Sequence, residues 1–121
     1  MMLEGMATMT YLPIILFAIA ALGGLTLIYL KFSGKVIPMP LALVHGLFAA
    51  AGLVALIVNV ASGIANTLMN ISLVLFVLVA LGGFILFSFY VRKKELPDAL
   101  IAIHGSGAVI SFALLLIAVF A

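Results

Sequence analysis

Two histidines, His45 and His104, are the residues of this 121-residue chain with the most specific chemistry. They are the only histidines, their positions differ by 59, and each is followed by glycine inside a long apolar stretch. A neutral imidazole is a common ligand of haem iron and of divalent metals. An ionisable side chain within an apolar, membrane-like segment is costly and by default indicates a function. The chain has no cysteine, which excludes thiolate metal sites and iron–sulfur clusters.

The histidines allow three interpretations. In the first, both are axial ligands of a b-type haem, and missing side chains in two glycine pairs leave room for the flat macrocycle. These pairs are Gly23 with Gly24 and Gly82 with Gly83. In the second, each histidine bonds a backbone carbonyl or the other histidine, and the glycines permit close helix packing. In the third, the histidines serve metal, proton or small-ligand chemistry, although two imidazoles without a carboxylate leave a divalent metal short of ligands.

The composition places these residues in a bilayer. Hydrophobic residues make up 69% of the chain and charged residues 7%, whereas soluble domains average about a quarter charged residues. So few charges exclude a soluble enzyme, a nucleic-acid binder and a disordered chain. Four segments are long and apolar enough to cross ~30 Å of hydrocarbon as helices. They are Tyr11–Tyr29, Met39–Val60, Ile71–Val91 and Leu96–Ala121.

These segments predict an all-α integral membrane protein, a bundle of four transmembrane helices in a single domain, residues 1–121. Pro13 is expected in the first turn of the first helix, where a missing N–H is tolerated, and no proline is expected to interrupt a span. The loops are too short to hold a catalytic domain, and whether the protein is an enzyme stays open.

A constant offset of 59 in the numbering aligns the two halves of the chain without gaps. It superimposes Ala-Leu-Gly-Gly at 21–24 and 80–83, Lys35 and Lys94, Pro38 and Pro97, and His-Gly at 45–46 and 104–105. The chain therefore reads as a duplicated helical hairpin, with repeat 1 at about 11–62 and repeat 2 at about 70–121. Two spans per repeat predict copies in parallel orientation, related by an axis along the membrane normal.

The repeat also predicts the depth and direction of the histidines. Each lies seven residues after its proline, which is about 10 Å into a helix. Each glycine pair lies a similar distance before the end of its span, so we expect one shared layer. Two small-residue stripes should face neighbouring helices. They run through His45, Ala49, Gly52, Leu56 and Asn59, and through His104, Ala108, Ser111, Leu115 and Ala118.

The cations predict the orientation. Lys31 and Lys35 follow the first span, Arg92, Lys93 and Lys94 follow the third, and the loop between the second and third spans is uncharged. By the positive-inside rule both basic loops face the cytoplasm and both termini face outward.

The arrangement is similar in outline to small membrane b-type cytochromes, in which histidines on separate spans ligate haem. The resemblance implies electron transfer, with quinone or a redox protein as partner. Lys35 and the cations at 92–94 would then be available to the haem propionates. Small multidrug transporters share the length and the four spans, but they work through a membrane-embedded glutamate, and no acidic residue lies within a span here. The alternative is a non-redox accessory or assembly subunit, or a self-associating carrier, in a homo-oligomer or a larger membrane complex.

Overall fold

The computed structural model describes the backbone of residues 2–121 and the side chains of residues 8–121. Its helices are α1 (Met2–Phe32), α2 (Met39–Ala61), α3 (Thr67–Val91) and α4 (Asp98–Phe120), and this part of the chain contains no strand. The all-α prediction is confirmed. All four helices are long and apolar enough to cross a membrane, over stretches of 25, 23, 25 and 23 residues. Those stretches are Thr8–Phe32, Met39–Ala61, Thr67–Val91 and Asp98–Phe120.

The start of α1 differs from the prediction. The helix begins at Met2 rather than near Tyr11, so Pro13 lies inside it and not in its first turn. The expectation that Pro13 lies in the first turn is therefore wrong, whereas the helix itself is not interrupted and runs on to Phe32. Because the pyrrolidine nitrogen carries no hydrogen, residue 13 cannot donate to the carbonyl four residues earlier, and the helix continues through it with one bond fewer.

The chain divides into two compact units, Met1–Ala55 and Leu56–Ala121. The first unit contains α1 and most of α2, which form a helical hairpin. The second contains the last turns of α2 together with α3 and α4, and α3 packs along α4.

The two small-residue stripes are turned away from the surface. No residue of either stripe is exposed, and five of them are buried: Gly52, Leu56, Asn59, Ser111 and Leu115. The opposite faces are covered with large apolar side chains. Leu22, Leu47, Phe84 and Val109, one on each helix, are between 67% and 70% exposed. Small residues thus line the helix contacts and large ones the outer surface, which is the pattern of helices that associate in lipid.

Three helices end in the same hydrogen-bonded turn. After α1, the Gly34 N–H donates to Lys31 O at 3.3 Å and the Lys35 N–H to Leu30 O at 3.0 Å, which is a Schellman motif. The residue after the cap has a positive φ, and this residue is Gly34 (69°) after α1, Gly63 (81°) after α2 and Lys93 (56°) after α3. Lys93 is the one non-glycine residue with a positive φ in the described backbone. A side chain in this region costs about 1–2 kcal/mol because Cβ crowds the following carbonyl.

Asn66 joins the start of α3 to the end of α4. Its Oδ1 accepts the Met69 N–H at 2.9 Å, and its Nδ2 donates to Ala118 O at 2.9 Å. The first bond caps α3, and the second satisfies a carbonyl in the last turn of α4, where the helix itself supplies no donor.

Replacing Asn66 with alanine is expected to lower the free energy of unfolding by about 2 kcal/mol, since a cap and a second bond each contribute about 1 kcal/mol. Serine at this position keeps a capping oxygen but is too short to reach Ala118, so about half the loss is expected. Thermal unfolding in one detergent compares the three proteins. Equal stability of the alanine variant and the parent would contradict the bridging role.

Candidate functional site

His45 closes the contact between α1 and α2 in the first unit. Its Nδ1 lies 2.7 Å from the carbonyl oxygen of Ala20. The ring rests against the glycine pair of α1. A Cβ built on Gly23 would lie 3.3 Å from His45 Cβ, and one built on Gly24 would lie 3.1 Å from His45 Cε1. The absence of side chains at 23 and 24 is therefore what lets the imidazole reach the α1 backbone.

His104 makes the same contact between α3 and α4 in the second unit. Its Nδ1 lies 2.9 Å from the carbonyl oxygen of Val79. A Cβ built on Gly83 would lie only 2.9 Å from His104 Cε1, and one on Gly82 would lie 3.7 Å from His104 Nδ1. The carbonyls of Ala20 and Val79 each precede their histidine by 25 residues, so the bond recurs at the offset of 59.

The predicted glycine–histidine layer is confirmed within each unit. Gly23 and Gly24 lie against His45, and Gly82 and Gly83 against His104. The bond to a backbone carbonyl, one of the alternatives that the sequence left open, is present in both hairpins. Sequence reasoning did not identify the two acceptors, because a helix carbonyl carries no side-chain signature. Once one acceptor is known, the offset of 59 identifies the other, since Ala20 corresponds to Val79.

The carbonyl bonds determine which ring nitrogen carries the proton. A carbonyl oxygen only accepts, so Nδ1 of each neutral imidazole must be the donor, and the lone pair then lies on Nε2. This is the tautomer that binds iron or zinc through Nε2, with the other nitrogen oriented by an outer hydrogen bond. The arrangement therefore suits a ligand at Nε2, and it equally ties two helices together.

An apolar groove of about 180 Å³ lies beside His104 in the second unit. Gly82 and Gly107 line it together with leucine and isoleucine side chains of α3 and α4. Sites that enclose a drug-sized ligand span about 300–1,000 Å³. The groove is thus smaller than a site that encloses a drug-sized ligand.

Two serine hydroxyls form hydrogen bonds farther along the second unit, one between α3 and α4 and one within α4. The buried Ser72 hydroxyl donates to Ser111 O at 2.8 Å, and the Ser111 hydroxyl donates to Gly107 O at 2.7 Å. Every buried polar side-chain atom in the described part of the chain has a hydrogen-bond partner. The interior is therefore fully satisfied by short-range bonds, as a protein in a non-polar medium requires.

Metal binding by a cluster of side chains receives no support. Among residues 8–121, no group of three His, Cys, Asp or Glu side chains is placed to hold a metal ion. No protein-family model, no curated protein and no solved structure matches the chain.

Proposed function

We propose that the chain is a multi-pass membrane protein whose two basic turns, 31–35 and 92–94, face the cytoplasm and whose termini face outward. Support for insertion comes from the four long apolar helices and from the large apolar side chains exposed on each of them. Water would disfavour such surfaces, whereas lipid accommodates them. Support for the orientation comes from the placement of the cations and the uncharged loop between α2 and α3.

We further propose that the two hairpins are copies of one ancestral hairpin. Three features support this beyond the shared residues. The histidine–carbonyl bond recurs at the offset of 59. The turns that end at Lys35 and Lys94 have the same three backbone hydrogen bonds at that offset. The turn after Pro38 and the turn after Pro97 also share a bond, to the proline carbonyl in each.

Within this fold, we propose that His45 and His104 are the axial ligands of a b-type haem that carries electrons. The observation that carries the proposal is the Nδ1–carbonyl bond in both hairpins, which places the lone pair on Nε2. The same outer bond fixes the orientation of each ring. When bound, such a group would supply one-electron transfer, and His45 and His104 would be the residues that hold it.

The proposed partners of the haem follow from the positions of the cations and of the histidines along the helices. The glycine pairs carry no side chains beside the histidines, and the cations at 92–94 would be the candidates to pair with the propionates. A haem near one face of the bilayer does not carry electrons across it unaided. The proposal therefore includes quinone or a redox protein as the exchange partner.

The test is an ultraviolet–visible spectrum of the detergent-purified full chain, expressed with adequate haem supply, first oxidised and then reduced with dithionite. We expect a Soret band and, after reduction, sharp α and β bands of low-spin haem. A protein that is colourless and remains so after titration with haemin overturns the proposal.

A second candidate function is a non-redox accessory or assembly subunit, or a self-associating carrier, in which the histidines are structural. The observation that favours it is the close seating of each ring on its own glycine pair, at 3.1 Å and 2.9 Å for the closest built Cβ atoms. In that case the colourless protein is folded and stable without haem. Its mass in detergent then shows whether it forms a homo-oligomer or needs other subunits.

A further inference from the structure

The turn after α3 keeps a lysine where the equivalent turns keep glycine. Lys93 occupies the left-handed position that Gly34 occupies in the turn after α1, at the offset of 59, and that Gly63 occupies after α2. The backbone hydrogen bonds of the three turns are the same. Glycine is therefore the residue that the local structure favours, and the lysine at position 93 departs from that preference.

The cation at 93 is not needed to stabilise the end of α3. Arg92 already serves the helix terminus, since its Nε donates to Ser88 O at 3.1 Å and its guanidinium lies 5.1 Å from the centre of the Phe89 ring. Its charge also complements the negative end of the helix dipole. A strained residue with no local purpose points to a partner outside the turn.

We propose that the turn formed by Arg92, Lys93 and Lys94 binds the phosphate group of anionic phospholipids at the membrane surface, an inference that rests on the proposed membrane insertion. The three cations are consecutive and exposed at the end of a candidate span. Juxtamembrane cations attract anionic headgroups, and the aromatic rings at 89 and 90 suit the same interfacial depth. Glu95 follows the turn and Asp98 lies in the first turn of α4, so the segment 92–95 keeps a positive net charge.

The turn after α1 provides the internal comparison. Its cations, Lys31 and Lys35, are not consecutive, and Lys35 Nζ is directed back onto Tyr29, 3.5 Å from the hydroxyl and 5.2 Å from the ring centre. Its central position is Gly34, which presents no side chain. The two basic turns therefore share a backbone and differ in what they offer to a phosphate.

The experiment measures lipid binding by the detergent-purified full chain, using phosphatidylglycerol and phosphatidylcholine as probes in native mass spectrometry. Lys93→Gly removes the charge and the strain together. We expect about fivefold weaker phosphatidylglycerol binding, unchanged phosphatidylcholine binding, and a midpoint of thermal unfolding that rises by a few degrees. Lys31→Gln, which lowers the net charge equally in the other basic turn, is the matched control and should leave phosphatidylglycerol binding close to that of the parent.

Three results would overturn the proposal. Equal weakening by Lys93→Gly and Lys31→Gln would show attraction by overall charge alone. An unchanged midpoint of thermal unfolding in the Lys93→Gly variant would show that Lys93 is not strained, and the proposal would lose its basis. Displacement of the lipid by millimolar inorganic phosphate would show a site for a free anion. None of these readouts involves haem, and extraction of native membranes with alkaline carbonate tests insertion separately.

Discussion

Alanine at position 83 is expected to lower the free energy of unfolding by about 1–3 kcal/mol, whereas alanine at the neighbouring position 82 is expected to be neutral or mildly stabilising. The physical reason is the position of the His104 ring. A Cβ on residue 83 would lie 2.9 Å from Cε1 of that ring, closer than real contacts allow, while a Cβ on residue 82 would meet it at an ordinary 3.7 Å. The ring cannot swing away without lengthening its 2.9 Å bond to Val79 O.

The first hairpin supplies a graded control for this prediction. The corresponding distances are 3.1 Å for Gly24 and 3.3 Å for Gly23, both tighter than ordinary contact. The expected order of destabilisation by alanine is therefore 83, then 24, then 23, then 82. Thermal or denaturant unfolding of the four variants in one detergent measures the order. If alanine at 83 and alanine at 82 behave alike, the histidine is not held against the glycine pair.

If His45 and His104 together hold one haem as proposed, removing either histidine is expected to abolish the low-spin haem spectrum completely, and removing both should add no further loss. One iron with two axial imidazoles loses its six-coordinate state when either ligand is missing, so His45→Ala and His104→Ala should each give a high-spin or colourless protein. In the haem-free protein the same substitutions break separate carbonyl bonds in separate hairpins.

This cycle distinguishes one shared haem from two independent sites. If each single variant keeps half of the low-spin absorbance, each hairpin holds its own cofactor, and the shared-ligand proposal is wrong. Thr26→Ala is the control, because its hydroxyl bonds Leu22 O at 2.9 Å on the exposed side of α1 and takes no part in the histidine contact. It should leave both the spectrum and the stability near those of the parent.

Most of the secondary structure and part of the site could be predicted from the sequence. Apolar length determines the helices, and a constant rise per residue places Gly24 beside His45 and Gly83 beside His104. The small-residue stripes were also predictable, since close approach of two helices requires small side chains.

Two features were not predictable, each for a physical reason. The extension of α1 to Met2 takes Pro13 into the helix, against the proline's preference for a first turn, because helix-forming residues precede it. The left-handed conformation of Lys93 could not be predicted from the residue type, because lysine rarely adopts a positive φ. Only the alignment of residue 93 with Gly34 at the offset of 59 carries a signal for it.

The short span of the histidine bonds has a consequence for the order in which the protein is made. Ala20 and His45, the partners of the first bond, are 25 positions apart, and both are synthesised before any part of α3. The first hairpin therefore contains both partners of its histidine bond before the second hairpin is made. The bond from His104 to Val79 repeats this step later, over the same interval. Under the proposed membrane insertion, each hairpin thus carries the acceptor for its own imidazole, and neither imidazole depends on the other hairpin for its hydrogen bond in lipid.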